Sequence, residues 1–257
     1  GHIDAAVMVS GNSMSHIYLR KDNDWGKNYT YKDSEGLVDK LLSYEGIDIA
    51  MARNEKGQIV IKSKRGTALL EDKETGVMYT PLLNDPFGYN GIKDYLTYDE
   101  VLDLTFDTLY PDSLTQIVQI FKSARCGDIV ISAQTGYDLR RDFEIPEHKS
   151  SHGSLKSDHM HVPLIMNKKV SISRIRTVDL FPTILDFLSS ILCSSSSQSI
   201  RLLSNNSLFR ISYRSIRYLT SLDAYSILSS DIGLFNQSVL HDTSFSSIFI
   251  YFLTRFE

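Results

Sequence analysis

The chain is short of several features that would classify it quickly. It has 2 cysteines in 257 residues. Cys126 and Cys193 are too few for a disulfide scaffold and lack the spacing of a metal knuckle, so they leave the redox compartment open. Positive charge is not in excess: 27 Lys and Arg stand against 31 Asp and Glu, for a formal net charge of -4. The basic residues are scattered, which gives no nucleic acid footprint of the kind that neutralises phosphates. No run approaches the roughly 18 to 20 apolar residues that a membrane span needs. The opening GHIDAAVMVSG has neither an initiating methionine nor the basic start and apolar run of a signal peptide. It does not read as a natural N-terminus, and it leaves localisation open.

Residues 189–257 are defined by a second set of absences. They contain no lysine and no proline, a single glycine (Gly233), and 19 serines. Ile, Leu, Phe and Tyr are nonetheless frequent there, unlike the apolar-poor composition of a typical disordered tail. Three accounts stay open for this atypical segment: a small helical appendage, a poorly ordered extension, or translated sequence that never evolved as protein. None of them places a functional residue there.

What is present in 1–188 reads as a folded α/β protein. Overall, 42% of residues are apolar and 23% charged, enough for one large or two modest domains. DAAVMVS (4–10) and HIYL (16–19) predict a hairpin or two neighbouring strands. DSEGLVDKLLSYEG puts Leu37, Val38, Leu41 and Leu42 on one helical face, with Gly46 as the candidate stop. Four strands near 47–52, 58–63, 67–71 and 77–80 alternate with Gly-containing charged turns and suggest an inserted β-rich unit. SLTQIVQIFKSA (113–124) predicts a helix opened by a Ser113/Gln116 capping box. GDIVISA (127–133) is apolar enough for a strand covered on both faces, and HVPLIM predicts a second such strand. RTVDLFPTILDFL adds a helix with Pro182 in its first turn. The expected layout is 1–46 as part of an α/β core, 47–110 as the insertion, 111–188 as the C-terminal part of the core, and 189–257 as the tail.

The stretch HGSLKSDHMHVPLIM (152–166) concentrates three histidines and an aspartate just before an apolar strand. Gly153 lets the backbone after His152 pass close to a ligand or metal without a side-chain clash. Zinc takes imidazole and carboxylate donors, and a catalytic site needs about three from the protein. A local site of His152, His159 and His161 requires the loop to fold back on itself, since an extended 158–161 segment points His159 and His161 one way and Met160 the other. The favoured reading is that one histidine completes a site whose other donors are distant, with Asp158 and His161 in support. His2, His16, His148 and His241 read as surface or core-edge residues. Ser151 and Ser154 beside His152 are ordinary loop serines, not a nucleophile.

SSHGSLKSDHMHVPLIM followed by RTVDLFPTILDFL resembles the closing part of the alkaline phosphatase superfamily, in particular its type I phosphodiesterase and nucleotide pyrophosphatase-like members. The resemblance spans about residues 1–188 and is strongest over 150–188. It implies an alkaline-phosphatase-like α/β sandwich with a small antiparallel β insertion. His152, followed by Gly153, takes the position of the last metal ligand, Val162–Met166 that of the following strand, and Asp179–Thr183 that of the closing helix. SGNSMSHIYL (10–19) is similar to the segment leading into the inserted portion. Such proteins hold two metals, usually zinc, and use a Ser or Thr nucleophile on phosphate esters or nucleotide-like small molecules. Many are extracytoplasmic. Of the six ligand positions, His152 alone has a counterpart here; Asp158-His159 lies in the wrong order to replace an earlier pair. The expectation is a fragment of a metal-dependent phosphoric ester hydrolase, inactive on its own. The alternatives are a noncatalytic binding protein on that shell and a small zinc-binding protein.

Overall fold

The computed structural model describes residues 3–140, 146, 150–166, 174–194, 200–204, 207–211 and 250–252. The chain divides into two compact units, one of residues 1–165 with 250–257 and one of residues 166–249. The first holds an open eight-stranded sheet in the order β1-β2-β8-β3-β4-β5-β6-β7. Its strands are β1 (Ala5–Ser10), β2 (Met14–Leu19), β3 (Ile47–Arg53), β4 (Ile59–Ser63), β5 (Thr67–Lys73), β6 (Gly76–Leu83), β7 (Asp94–Thr97) and β8 (Ile129–Ala133). Every pairing in this sheet is antiparallel. With helices on its faces, the sheet makes a mixed α/β fold.

Both faces carry a core, for the reason the sequence suggests: strand side chains alternate between faces. On one face α1 (Tyr31–Ser43) lays Val38 and Leu42 against Ile17, Ala50, Ala52, Ile129 and Ile131. On the other, α2 (Tyr98–Thr105) and α3 (Ser113–Lys122) bring Val101, Leu114, Ile117, Val118 and Phe121 onto Ile49, Met51, Leu70, Tyr79 and Val130. α1 begins in a capping box between Thr30 and Asp33. There the Lys21 ammonium and the Thr30 N–H and hydroxyl hold the exposed Asp33 carboxyl down to about 2. The N-terminal residues of α2 repeat the device with Thr97 and Glu100.

Four expectations change. β3–β7 do not form a unit of their own, because β3 pairs with β8 on one side and β4 on the other. Gly46 does not close α1: the helix ends at Ser43 with Tyr44 extended, and Gly46 instead leaves room for Tyr137, whose Cδ1 would lie 2.6 Å from an added Cβ. Ser113 is no cap either. The residue before α3 is Asp112, in a left-handed conformation with φ 53 and no side-chain cap. The Ser113 hydroxyl is buried and donates to Leu155 O at 3.2 Å. Finally, the strand expected in HVPLIM shrinks to β9 (Leu164–Met166), half-exposed and outside the main sheet.

The second unit contains a 3-10 turn at Thr177–Asp179, α5 (Leu180–Ser194) with Pro182 in its first turn, and a hairpin of β10 (Ile200–Ser204) and β11 (Ser207–Ile211). Ile250–Phe252 (β12) pairs with β9. Most of 189–257 lies outside the described residues, so the nature of that segment does too. No helix among the described residues is long and apolar enough to cross a membrane.

Candidate functional site

Two loops run side by side at one end of the sheet, joined by an isolated parallel bridge between Asn12 and His152. β1 and β8 run in the same direction, so both end where the Gly11–Asn12–Ser13 turn leads into β2. Residues 151–153 pass alongside that turn. His152 N donates to Gly11 O at 3.1 Å, and Ser13 N donates to His152 O at 3.1 Å. The Ser13 and Ser151 hydroxyls are 2.6 Å apart. The turn is fastened to its other neighbours as well: Ala133 N donates to Ser13 O at 2.9 Å and Leu139 N to Asn12 O at 2.8 Å.

Glycine makes this approach feasible. An added Cβ on Gly11 would lie 2.6 Å from His152 Nδ1. One on Gly153, at φ +101, would lie 2.8 Å from Ser10 O, in a backbone region that L side chains rarely adopt. What the missing side chain at Gly153 accommodates is the β1–β2 turn, in place of the ligand or metal expected from the sequence. The His152 ring remains exposed while its backbone is tied on both sides.

Beyond His152 the loop turns inward. Ser154, Leu155 and Lys156 are buried. Leu155 N donates to Ser132 Oγ at 3.2 Å, and Ser157 N donates to Leu109 O at 2.9 Å. The segment expected to be extended then forms one helical turn, α4 (Ser157–Met160), which separates the remaining candidates. Asp158 is exposed and accepts from the Thr135 hydroxyl at 3.1 Å. His159 uses Nδ1 to accept from Ser154 N–H at 3.2 Å. The His161 ring packs on Phe106, centroids 4.7 Å apart. Among the described residues no three His, Cys, Asp or Glu side chains gather to hold a metal. An imidazole at His152 is a suitable zinc donor, but alone it does not constitute a zinc site.

His16, read as a core-edge residue, is half-buried and accepts from Gly127 N–H at 3.1 Å. Burial lowers its pKa below the ordinary 6.5. His2, His148 and His241 lie outside the described residues.

A polar network close to His152 was not anticipated. Its hub is Asp48, 2% exposed, at a bulge where β3 shifts register against β8 between Ile47 and Ile49. Bulges re-aim side chains at sheet ends. Asp48 Oδ1 accepts from Arg65 Nη2 at 3.0 Å and Gln134 Nε2 at 2.9 Å, and Oδ2 accepts from the Tyr110 hydroxyl at 2.6 Å. The Lys156 ammonium donates to Gln134 Oε1 and lies 3.9 Å from Asp48 Oδ2. Burial and the Asp48 hydrogen bond push the Tyr110 phenol well above its ordinary range, so it stays a donor. The signal for this cluster was Asp48 itself, a lone carboxylate inside the apolar run IDIAMA.

Comparison of the chain with family models, curated proteins and solved structures finds no match.

Proposed function

We propose that this chain is the C-terminal part of a metal-dependent phosphoric ester hydrolase of the alkaline phosphatase-like kind, acting on phosphate esters or nucleotide-like small molecules. In this reading His152 supplies one imidazole to a zinc site, and the other donors and the nucleophile come from polypeptide outside this sequence. The observation that carries the reading is the parallel pairing of the two glycine-bearing loops, with an exposed His152 at the shared end of β1 and β8. A histidine packed dry in the core, or placed at the opposite end of the sheet, would have left nothing to propose. Among the described residues no three His, Cys, Asp or Glu side chains gather, and no catalytic step is assigned to them.

Reading the coding DNA on both sides of this chain tests the proposal. The expected result is an in-frame upstream segment that encodes a Ser or Thr nucleophile with Asp and His ligands. A locus with no such segment overturns it.

A further inference from the structure

We propose that Asn90–Gly91 is a site of spontaneous covalent modification, at which water converts the asparagine into a mixture of aspartate and isoaspartate. The chemistry is an intramolecular attack by the main-chain nitrogen of Gly91 on the side-chain carbonyl carbon of Asn90. The Gly91 N–Cγ bond forms and the Cγ–Nδ2 bond breaks, and the Gly91 amide proton leaves with the amide nitrogen as ammonia. Water then opens the resulting cyclic imide at either carbonyl, so that a water is consumed for each ammonia released. Opening at one carbonyl gives aspartate. Opening at the other carries the main chain through the side-chain carbons and adds a methylene to it. The first step needs an unengaged amide nitrogen, room around it, and a backbone that can bring nitrogen and carbon together.

Asn90–Gly91 meets these conditions. Both residues are exposed in the loop between β6 and β7. A Cβ added to Gly91, at φ +74, would meet nothing within 4 Å, so its surroundings are open. Glycine also reaches main-chain conformations closed to other residues. Among the described residues, neither the Asn90 side chain nor the Gly91 N–H takes part in a hydrogen bond. The other asparagines of 3–140 differ on these points. Asn12, Asn23 and Asn28 are each followed by an amide already engaged: Ser13 N donates to His152 O, Asp24 N to Lys21 O and Tyr29 N to Asp128 Oδ1. Asn54 is held by its own side chain, with Nδ2 donating to Gln58 Oε1 and Oδ1 accepting from Lys56 N and Gln58 N. Asn84 precedes Asp85, whose Cβ crowds the nitrogen and whose carboxylate is fixed by the Tyr79 hydroxyl and Phe87 N.

The product is felt beyond the loop. Asn90 and Gly91 join two buried residues, Tyr89 and Ile92. The Tyr89 ring stacks on Phe87, centroids 5.1 Å apart, and its hydroxyl donates to Tyr110 O. A main chain lengthened between Tyr89 and Ile92 disturbs the seating of both, whereas aspartate changes only the charge at an exposed position.

The test is tryptic peptide mapping of the full chain after prolonged incubation in warm, mildly alkaline buffer. Cleavage after Lys73 and Lys93 puts Asn84 and Asn90 on the same peptide, so the first is an internal reference for the second. An amide-to-acid mass gain at residue 90 is expected, at least about tenfold faster than at any other described asparagine. The product should separate chromatographically into two isomers. Asn90→Gln, which would have to close a larger ring, should lose the reaction. The purified isoaspartyl form should melt at a lower temperature than Asn90→Asp, which should melt with the unmodified chain. An amide at residue 90 that outlasts the one at Asn84, or that yields aspartate alone, overturns the proposal. An isoaspartyl form that melts together with Asn90→Asp overturns the effect on Tyr89 and Ile92.

Discussion

β8 and β1 are both apolar runs, IVISA and AAVMVS, and they end at the same edge of the site, yet their surroundings differ completely. Every residue of β8 is buried, with Ile129 and Ile131 on the face under α1 and Val130 on the face under α3. β1 ends the sheet order, and Val7 and Met8 are 59% and 60% exposed. Ala5–Ser10 contains no charge and no proline, the devices with which edge strands are normally blunted. Composition thus specifies a strand fit for cover on both faces, while position in the sheet decides whether that cover exists. His152 itself lies against the turn that follows the open strand, while the residues after it in the same loop turn inward to Ser132 of the closed one.

The largest expected effect separates the two strands outright. Val130→Asp places an unpaired carboxylate in the core and should cost about 4 kcal/mol or more, abolishing cooperative unfolding. Val7→Asp should change stability by no more than about 0.5 kcal/mol and improve solubility by charging the edge. Thermal and urea melts of both variants check this, and equal losses would dissolve the contrast.

Next in size is the pairing of the two loops. Gly153→Ala imposes a Cβ at φ +101 against Ser10 O, and a strained backbone of this kind costs about 1–3 kcal/mol. Gly57→Ala, also at positive φ but in open space, is the control: it should cost less, about 1 kcal/mol. Amide exchange at His152 and Ser13 should speed up in the first variant alone.

The smallest effect is that of pH on the β2–β8 side. His16 accepts a hydrogen bond through Nδ1, and its pKa is lowered by burial. A group depressed in the folded state contributes stability that is present above its unfolded value of 6.5 and is lost as pH falls through the folded value. Melting temperature should therefore be level above about pH 7 and decline below about 6.5, with a shallower decline in His16→Gln. An unchanged slope in that variant would remove His16 from the account.

Local pattern made much of this fold legible. The hairpin of β1 and β2, the series β3–β6, and the buried β8 follow from period-two alternation and Gly-containing turns, which act over a few residues. Errors arose where distant contacts overrode a local rule. Ser113 has the spacing of a cap, but its hydroxyl is spent on Leu155, 42 positions away. Val162–Met166 is apolar enough for a core strand, yet only Leu164–Met166 pairs, and outside the main sheet.

The site divides in the same way. His152 and Gly153 stood out because a His-Gly pair carries its own physical meaning. The separation of His159 and His161 depends on a helical turn, a backbone bond to Ser154 and the Phe106 ring, none of which the spacing encodes. Asp48 gathers residues 65, 110, 134 and 156 through a bulge, and a bulge leaves no mark in the alternation of IDIAMA.

The most direct test of the central claim is hydrolysis of bis(p-nitrophenyl) phosphate by the polypeptide encoded when this chain is joined in frame to its upstream coding segment. The account predicts zinc-dependent turnover that a chelator abolishes and that His152→Ala lowers by about a hundredfold, with an unchanged melting temperature. Turnover unaffected by the chelator, or undiminished in His152→Ala, would contradict it.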